Sequence, residues 1–269
     1  MSDCTHDCST CGENCAQKGI QKEQQNEYSN IKKIYAVVSG KGGVGKSLAT
    51  SLLAVEAQKR GLKTAVLDAD ITGPSIPKVF GVKEKATGDE RGIFPAVSKN
   101  GVKIMSVNLL LENDFDPVVW RGPVIAGTVK QFYTDVLWGD IDCMFVDCPP
   151  GTGDVPLTVF QSLPIDGIIV VASPQELVSM IVEKAVRMAE LMNVPIVGAV
   201  ENMAYFICDK CGEKHYIFGK GALAETAAAK GISNYAEIPF DKELAALCDS
   251  GEIEKENARY LKDLADKIL

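Results

Sequence analysis

An eight-residue segment, 40–47, has the composition of a phosphate-binding loop. Its sequence, GKGGVGKS, matches the pattern G-x-x-x-x-G-K-[ST] and stands between an apolar run typical of a strand and a segment with helical character. Glycines allow backbone N–H groups to converge on phosphate oxygens, and the amino end of the following helix adds a partial positive charge. Lys46 is expected to reach the β- and γ-phosphates, and the Ser47 hydroxyl to bind Mg²⁺. The residues expected to contact a nucleotide here are Gly40, Lys41, Gly42, Gly43, Val44, Gly45, Lys46 and Ser47.

Two acidic segments, LDADITGPS and VDCPPGTGD, follow predicted strands and are expected to complete this site. An aspartate at the end of a strand beside a phosphate loop can hold Mg²⁺ through water, which is the role expected for Asp147. Asp70 is expected to orient or deprotonate the attacking water, with Asp68 as the alternative. The N–H of Gly151 can meet the γ-phosphate, which would make 149–154 a nucleotide-sensing switch. A single aspartate after a strand is often only a helix cap, but three motifs in this order favour a catalytic site.

The spacing of the nine cysteines separates candidate metal ligands from buried thiols. Cys208 and Cys211 form a C-x2-C pair, and two thiolates cannot complete a four-cysteine cluster site by themselves. Zinc is the alternative metal, because C-x2-C pairs are also common at zinc sites. The neighbouring His215 is interpreted as a solvated loop residue. The cysteines interpreted as structural are Cys143, Cys148 and Cys248.

The amino-terminal segment contains four further cysteines. Cys4, Cys8, Cys11 and Cys15 form the pattern C-x3-C-x2-C-x3-C. Four thiolates at this spacing can bind one [4Fe–4S] cluster within a single chain. Zinc, with His6 as a further ligand, and a tail without metal are the alternatives. Residues 1–30 have almost no large apolar side chains, so we predict a Cys-rich extension there and one globular domain over 31–269.

Alternating strand and helix patterns must position these residues. Strands are predicted at IYAVVS, TAVLD, CMFVD, GIIVVA, PIVGAV and YAEIP, and a hairpin with an Asn100-Gly101 turn at 96–107. Helices are predicted at 46–60, 175–192, 220–230, 241–249 and 256–269. This alternation predicts an α/β fold with a mostly parallel, doubly wound sheet covered by helices on both faces.

The bulk composition limits the classes of partner. The net charge of −8 and a pI of about 5.0 do not attract nucleic acid or anionic lipid. No apolar run is long enough to span a bilayer, and the polar amino terminus lacks a signal-peptide core. We therefore expect a cytoplasmic protein that binds neither nucleic acid nor membrane.

Taken together, SGKGGVGKS, LDADITGPS, VDCPPGTGD and ENM resemble the Mrp/ApbC-type P-loop ATPases that carry iron–sulfur clusters. These are close to the Nbp-type scaffolds and belong to the wider class of MinD/ParA and nitrogenase iron proteins. The resemblance implies a P-loop NTPase fold with a deviant Walker A motif. It also implies a homodimer with ATP at the subunit interface. In that dimer Lys41 would reach the partner's nucleotide; the alternative is that Lys41 is a solvated loop lysine. Asn202 is then expected to recognise adenine, Asp70 to be the switch I aspartate and Asp147 the Walker B aspartate.

In such a homodimer, Cys208 and Cys211 of two copies would bridge one [4Fe–4S] cluster. The implied function is that of an ATP-hydrolysing carrier that assembles this cluster and transfers it to apo iron–sulfur proteins. The Nbp-type scaffolds also have four amino-terminal cysteines, at wider spacing than the present ones. A second cluster or a cluster-transfer arm is therefore favoured there.

Two other functions fit the same class. A MinD/ParA-like positioning ATPase would need a membrane or DNA contact, and the amphipathic carboxyl-terminal segment ENARYLKDLADKIL is a weak candidate because its charges are mixed. A reductase like the nitrogenase iron protein would need cluster cysteines near the middle of the chain, where Cys143 and Cys148 lie.

Overall fold

Strands rich in β-branched residues form the centre of the molecule. The computed structural model describes residues 22–71, 73–111, 122–151, 153–174 and 178–269. The amino-terminal cysteines and His6 therefore lie outside the described residues. The described strands are β1 (Ser29–Ile31), β2 (Ile34–Ser39), β3 (Thr64–Asp68), β4 (Thr87–Asp89), β5 (Gly92–Phe94), β6 (Ala96–Val97), β7 (Lys103–Met105), β8 (Gly139–Ile141), β9 (Cys143–Asp147), β10 (Gly167–Ala172), β11 (Ile196–Asn202), β12 (Phe206–Ile207), β13 (Lys214–His215) and β14 (Tyr235–Ile238).

One large sheet has the predicted parallel arrangement. Within the described residues it contains eight strands in the order β14-β11-β10-β2-β9-β3-β7-β6. All neighbouring pairs are parallel except β6 and β7. The strands β2, β3, β9 and β10 are buried along their whole length, as expected of parallel strands covered on both faces. Because these strands are parallel, the loops that follow β2, β3 and β9 leave the same edge of the sheet.

Helices cover both faces of this sheet, which confirms the doubly wound α/β fold. One core joins the sheet to α3, α4 and α5, and the other joins it to α1, α2, α7 and α8. Alternate residues of β2 divide between them, with Ala36 in the first core and Val37 in the second. The helices are α1 (Lys46–Lys59), α2 (Ile76–Val79), α3 (Gly122–Thr134), α4 (Asp154–Ser162), α5 (Val178–Met192), α6 (Leu223–Ala229), α7 (Lys242–Ser250) and α8 (Lys262–Ile268).

The predicted hairpin at 96–107 is confirmed as β6 and β7, with Gly101 at a φ of 93° in its turn.

Cys143 and Cys148 are buried in the two cores, as the sequence indicated. Burial raises the pKa of Cys143 to about 11 and that of Cys148 to about 12. Buried, protonated thiols of this kind are poor metal ligands, which disfavours the reductase alternative.

The carboxyl-terminal helix is shorter than predicted, because 256–261 do not continue it. Arg259 has a left-handed φ of 55°, which interrupts a helix, and its guanidinium binds the buried carboxylate of Glu56 at 2.7 Å. Leu261 and Leu264 are each 1% exposed and pack in the second core. These apolar side chains stabilise the domain, so the segment does not offer them to a membrane surface.

Residues 22–30 of the predicted extension contact the domain. The N–H of Glu23 donates to the carbonyl of Ser162 at 2.8 Å, and β1 pairs in parallel with β8.

The described helices include none with the length and apolar character needed to cross a bilayer.

Candidate nucleotide site and metal-binding hairpin

The loop between β2 and α1 encloses a cavity of about 330 Å³ at the carboxyl edge of the sheet. Gly43 and Gly45 have left-handed φ values of 82° and 86°, which side chains rarely adopt. A Cβ at Gly45 would lie 2.0 Å from Nδ2 of Asn202. The sequence therefore needs glycine here both for the backbone conformation and for the close approach of β11. The amino end of α1 lines the same cavity through Lys46 and Ser47, as an anion-binding helix end requires.

Asp147, at the end of β9, is the centre of the polar contacts. Its side chain is fully buried, and its Oδ1 lies 2.7 Å from Nζ of Lys46. The Ser47 hydroxyl donates to its Oδ2 at 2.5 Å, and the Thr50 hydroxyl donates to its Oδ1 at 2.9 Å. Sequence reasoning missed Thr50, although its position one helical turn after Lys46 puts both on one face of α1. Ser47 and Asp147 thus lie together, as a shared Mg²⁺ site would require.

Two aspartates at the carboxyl end of β3 have different surroundings. Asp68 is 1% exposed and accepts hydrogen bonds from the Ser106 hydroxyl and from the N–H groups of Asp70 and Ile76. Burial and the nearby Asp147 carboxylate raise its pKa. Asp70 instead lines the cavity, with its Oδ2 3.7 Å from Nζ of Lys46. Asp68 therefore anchors the loop, and Asp70 is the aspartate that faces the phosphate cavity.

Lys46 lies among three carboxyl groups. Burial disfavours its ammonium group, but the carboxylates of Asp147, Asp70 and Asp68 outweigh this and raise the pKa of Lys46. The Ser47 hydroxyl and the Asp147 carboxylate are adjacent oxygen donors, the ligand type that Mg²⁺ prefers, so these residues fit Mg²⁺.

The switch candidate Gly151 contacts the end of β2, and the adenine candidate Asn202 contacts the phosphate loop. The N–H of Gly151, which the sequence assigned to the γ-phosphate, donates to the carbonyl of Ser39 at 2.8 Å. Asn202 is 5% exposed, and its amide donates to the carbonyl of Val44 at 2.9 Å. This hydrogen bond holds the phosphate loop against the end of β11. Adenine recognition by Asn202 stays a prediction. Lys41 lines the cavity as an exposed residue.

The residue before Asn202 contacts a different part of the molecule. Glu201 is 2% exposed, and the hydroxyl of Tyr235 donates to its Oε2 at 3.0 Å. A Cβ at Gly221, in the segment between β13 and α6, would lie 1.8 Å from its Oε1. The last two residues of β11 therefore touch the phosphate loop on one side and the segment leaving the cysteine hairpin on the other.

Cys208 and Cys211 lie at the tip of the hairpin formed by β12 and β13. The N–H of Cys208 donates to the carbonyl of Glu213 at 2.9 Å, and the N–H of Gly212 donates to the carbonyl of Cys208 at 2.8 Å. Gly212 has a φ of 73°, which closes the turn. The N–H groups of Cys211 and Lys210 and the Cys211 thiol lower the pKa of Cys208, which favours the thiolate that metals bind.

His215 does not behave as an isolated loop residue. It is exposed, as expected, but its ring nitrogen and the two hairpin sulfurs all lie within 4.8 Å of one another. The geometry thus adds an imidazole to the two thiols. The position of His215 on the strand that returns from the turn was the available sequence signal. Spacing alone does not decide which way its side chain points.

Comparison with known proteins identifies relatives over almost the whole described chain. Residues 30–269 match the ParA family model, which is described as NUBPL iron-transfer P-loop NTPase. The iron–sulfur cluster carrier protein of Clostridium perfringens is 44% identical over 244 residues, which cover 87% of this chain and 86% of the relative.

Solved structures give the same relationship. The nucleotide-binding protein of Archaeoglobus fulgidus, in complex with ADP and with cobalt, has a TM-score of 0.79 and 44% identity over 86% of this chain and 91% of its own. The septum site-determining protein MinD of Pyrococcus horikoshii, with Mg-ADP, has a TM-score of 0.59 over 88% of this chain and 96% of its own. At 19% identity, MinD shares the fold alone. The family model and the relatives at 44% identity show that this chain belongs to the NUBPL-type iron-transfer P-loop NTPases.

Proposed function

We propose that this chain is an ATP-hydrolysing iron–sulfur cluster carrier whose cargo is held between two copies. Cys208 and Cys211 of each copy would bind one [4Fe–4S] cluster, which needs four thiolates. The observation that carries this proposal is the pair of accessible thiols at one hairpin tip, with the pKa of Cys208 lowered. An accessible, shared cluster can be given up to another protein, as a carrier requires.

Hydrolysis would take place at the phosphate cavity. Lys46 and the loop N–H groups would hold the phosphates, Ser47 and Asp147 would hold Mg²⁺, and Asp70 would orient the attacking water. When bound, Mg²⁺ would neutralise charge between the β- and γ-phosphates. Lys41 would act on the partner's nucleotide, Asn202 would contact adenine, and Gly151 would exchange its bond to Ser39 for one to the γ-phosphate. The adjacent oxygen donors of Ser47 and Asp147 support a requirement for the cation.

Apolar side chains support contacts beside the hairpin. The exposed fractions are 42% for Ile207, 63% for Ile217, 44% for Phe218 and 56% for Phe240. Such a group of exposed apolar residues favours a protein interface, either with a second copy or with an apo iron–sulfur client. The proposal also includes a cytoplasmic location and no nucleic-acid or membrane partner, in keeping with the net charge of −8.

The amino-terminal cysteines add a second part to the proposal. Cys4, Cys8, Cys11 and Cys15 would hold a further cluster or transfer one, with zinc or no metal as the alternatives. What supports this is the ligand count alone.

Anaerobic reconstitution with iron and sulfide tests both parts. We expect about four iron and four sulfide per dimer to be lost in the Cys208→Ala/Cys211→Ala variant, since one shared cluster needs two cysteines from each copy. A Cys248→Ala variant is the matched control, because Cys248 is a partly buried thiol of α7 outside the hairpin. Deletion of residues 1–21 should remove further iron only if the amino-terminal cysteines bind a cluster.

The metal content decides between the outcomes. Unchanged iron in the hairpin double variant would contradict the bridging site. Zinc without sulfide in the wild type would contradict the carrier function. Transfer is measured by the ATP-dependent gain of activity in an apo enzyme that needs a [4Fe–4S] cluster.

A further inference from the structure

The hairpin brings three metal-binding side chains of one chain together, and the inference drawn from them rests on the proposed function. Among the described residues, the group of Cys208, Cys211 and His215 is the one whose ligand atoms are close enough to share a metal ion. All three lie at or near the surface, with Cys208 the least exposed. The proposed bridging cluster uses only the two thiols, so the imidazole has no role there.

Strand pairing explains why the imidazole faces the thiols. His215 lies opposite Phe206 in the antiparallel ladder of β12 and β13, so their side chains share one face. Cys208 follows Phe206 by two residues, which returns its side chain to that face. Lys214, the residue before His215, points to the other face of the hairpin, where its Nζ lies 3.9 Å from the centre of the Tyr205 ring. The local fold thus directs His215 toward Cys208.

We propose that a single copy of this chain binds one divalent ion of the Zn²⁺ or Fe²⁺ type through Cys208, Cys211 and His215. Two thiolates and one imidazole are ligands that these borderline-soft ions prefer. Tetrahedral bonds of about 2.3 Å to sulfur and about 2.0 Å to nitrogen place the donor atoms roughly 3.5–3.8 Å apart. The present separations of up to 4.8 Å need a closure of about 1 Å, which side-chain rotation at an exposed hairpin tip can provide.

Three protein ligands leave one position of a tetrahedral ion open. Sites of this kind exchange ligands more readily than sites closed by four protein ligands. The same two sulfurs serve the single ion and the bridging cluster, so the two occupants exclude each other. His215 distinguishes them, because it binds the single ion and is not required once a second copy supplies two thiolates. A single copy can therefore hold a metal ion before a dimer holds a cluster.

Cobalt(II) is a suitable probe, because bonds to thiolate and a tetrahedral geometry both give characteristic absorption. Anaerobic titration of the full chain, after subtraction of the Cys208→Ala/Cys211→Ala signal, should give one Co²⁺ per chain. His215→Ala should weaken this binding by at least about 10–100-fold, the loss that even an outer-sphere partner of a metal ligand causes. The matched control is His6→Asn, at the other of the two histidines in the chain, with the signal of His6→Asn/Cys208→Ala/Cys211→Ala subtracted so that binding at the amino-terminal cysteines does not count.

A direct readout uses ¹¹³Cd²⁺ and protein labelled with ¹⁵N-histidine. We expect scalar coupling between the cadmium and one imidazole nitrogen in the His6→Asn protein, and none after His215→Ala. Unchanged Co²⁺ affinity in His215→Ala together with no Cd–N coupling would overturn the proposal. Half an ion per chain would also overturn it, because that ratio indicates a four-thiolate ion shared by two copies.

Reconstitution of His215→Ala with iron and sulfide separates this inference from the proposed function. We expect the same iron and sulfide per dimer as in the wild type. Loss of the cluster in this variant would overturn the distinction between the two occupants, since it would make His215 necessary for the cluster. If the wild type binds Co²⁺ through His215 but never forms a cluster, the inference stands and the proposed carrier function is wrong.

Discussion

The phosphate cavity and the cysteine hairpin differ in how their chemical groups are held. Asp147 ends a central strand, is fully buried and contacts three polar side chains of α1. The hairpin thiols lie in the turn between two strands of two residues each, outside the large sheet, and Cys211 is exposed. One site is fixed by the core of the domain, whereas the other is held by hydrogen bonds within its own turn and by an exposed ion pair.

This difference suits two different tasks. Phosphate chemistry needs groups that are already in place and shielded from water, because electrostatic stabilisation is then strongest. A metal cargo has to be reached by another protein, and a thiol that is buried in a core cannot give a metal away. The contrast between buried Cys148 and exposed Cys211 in one chain illustrates the second point.

Removal of the Lys46 charge should have the largest effect. In Lys46→Met the buried Asp147 carboxylate loses its ion pair, which should lower the free energy of unfolding without nucleotide by about 3–5 kcal/mol. ATP hydrolysis should fall by at least about 10²-fold, because a main source of positive charge at the phosphates is lost. Urea denaturation and phosphate release measure the two effects.

Lys242→Met is the control at the hairpin side. Its Nζ lies 2.8 Å from Asp209, but the two side chains are 74% and 68% exposed. Exposed pairs contribute little, so the urea midpoint should stay that of the wild type. Equal losses of unfolding free energy in the two lysine variants would contradict the difference between a site held by buried contacts and a site held by exposed ones.

Two glycines with similar backbone angles sharpen the comparison. Ala at a left-handed position costs about 1–2 kcal/mol, and this should apply to both Gly45→Ala and Gly212→Ala. At Gly45 the new Cβ would also meet Asn202 at 2.0 Å, which should add about 1–3 kcal/mol of overpacking. A Cβ at Gly212 would meet no described atom within 4 Å beyond its two neighbours in the chain. Denaturation and nucleotide titration should therefore show the larger loss for Gly45→Ala.

An additional Asn202→Ala substitution tests whether contact with Asn202 causes the larger loss in Gly45→Ala. Removal of the amide should recover part of the Gly45→Ala loss, while the backbone strain remains. No recovery in the double variant would show that contact with Asn202 is not the source of the difference.

The sequence predicted the parts of both sites that depend on local pattern. The phosphate loop, the strands before it and after it, and the C-x2-C pair are short motifs whose spacing determines their geometry. Contacts made through the tertiary fold were missed, such as the Ser106 hydroxyl on Asp68 and the position of Gly221 against Glu201. The break at Arg259 was also missed, because it depends on a buried Glu56 about two hundred residues away along the chain.

His215 shows the same limit at the hairpin. A histidine four residues after a C-x2-C pair is compatible with solvent or with a metal, and only the register of β12 and β13 selects its face. Asp68 and Asp70 could not be separated for a similar reason, since burial under α2 and the loop after β7 distinguishes them.

The smallest effect on folding is expected for the two cysteines that are proposed to hold the cargo. Cys208→Ala/Cys211→Ala should leave the urea midpoint and the ATP affinity of the metal-free protein unchanged, because these thiols contribute no contact to either core. Cys148→Ala is the matched control, since a fully buried thiol leaves a cavity and should cost about 1 kcal/mol. A stability loss in the hairpin variant as large as in Cys148→Ala would mean that the hairpin is coupled to the domain core. Unchanged stability together with lost metal binding would mean that the cargo site can open and refill without disturbing the fold that binds the nucleotide.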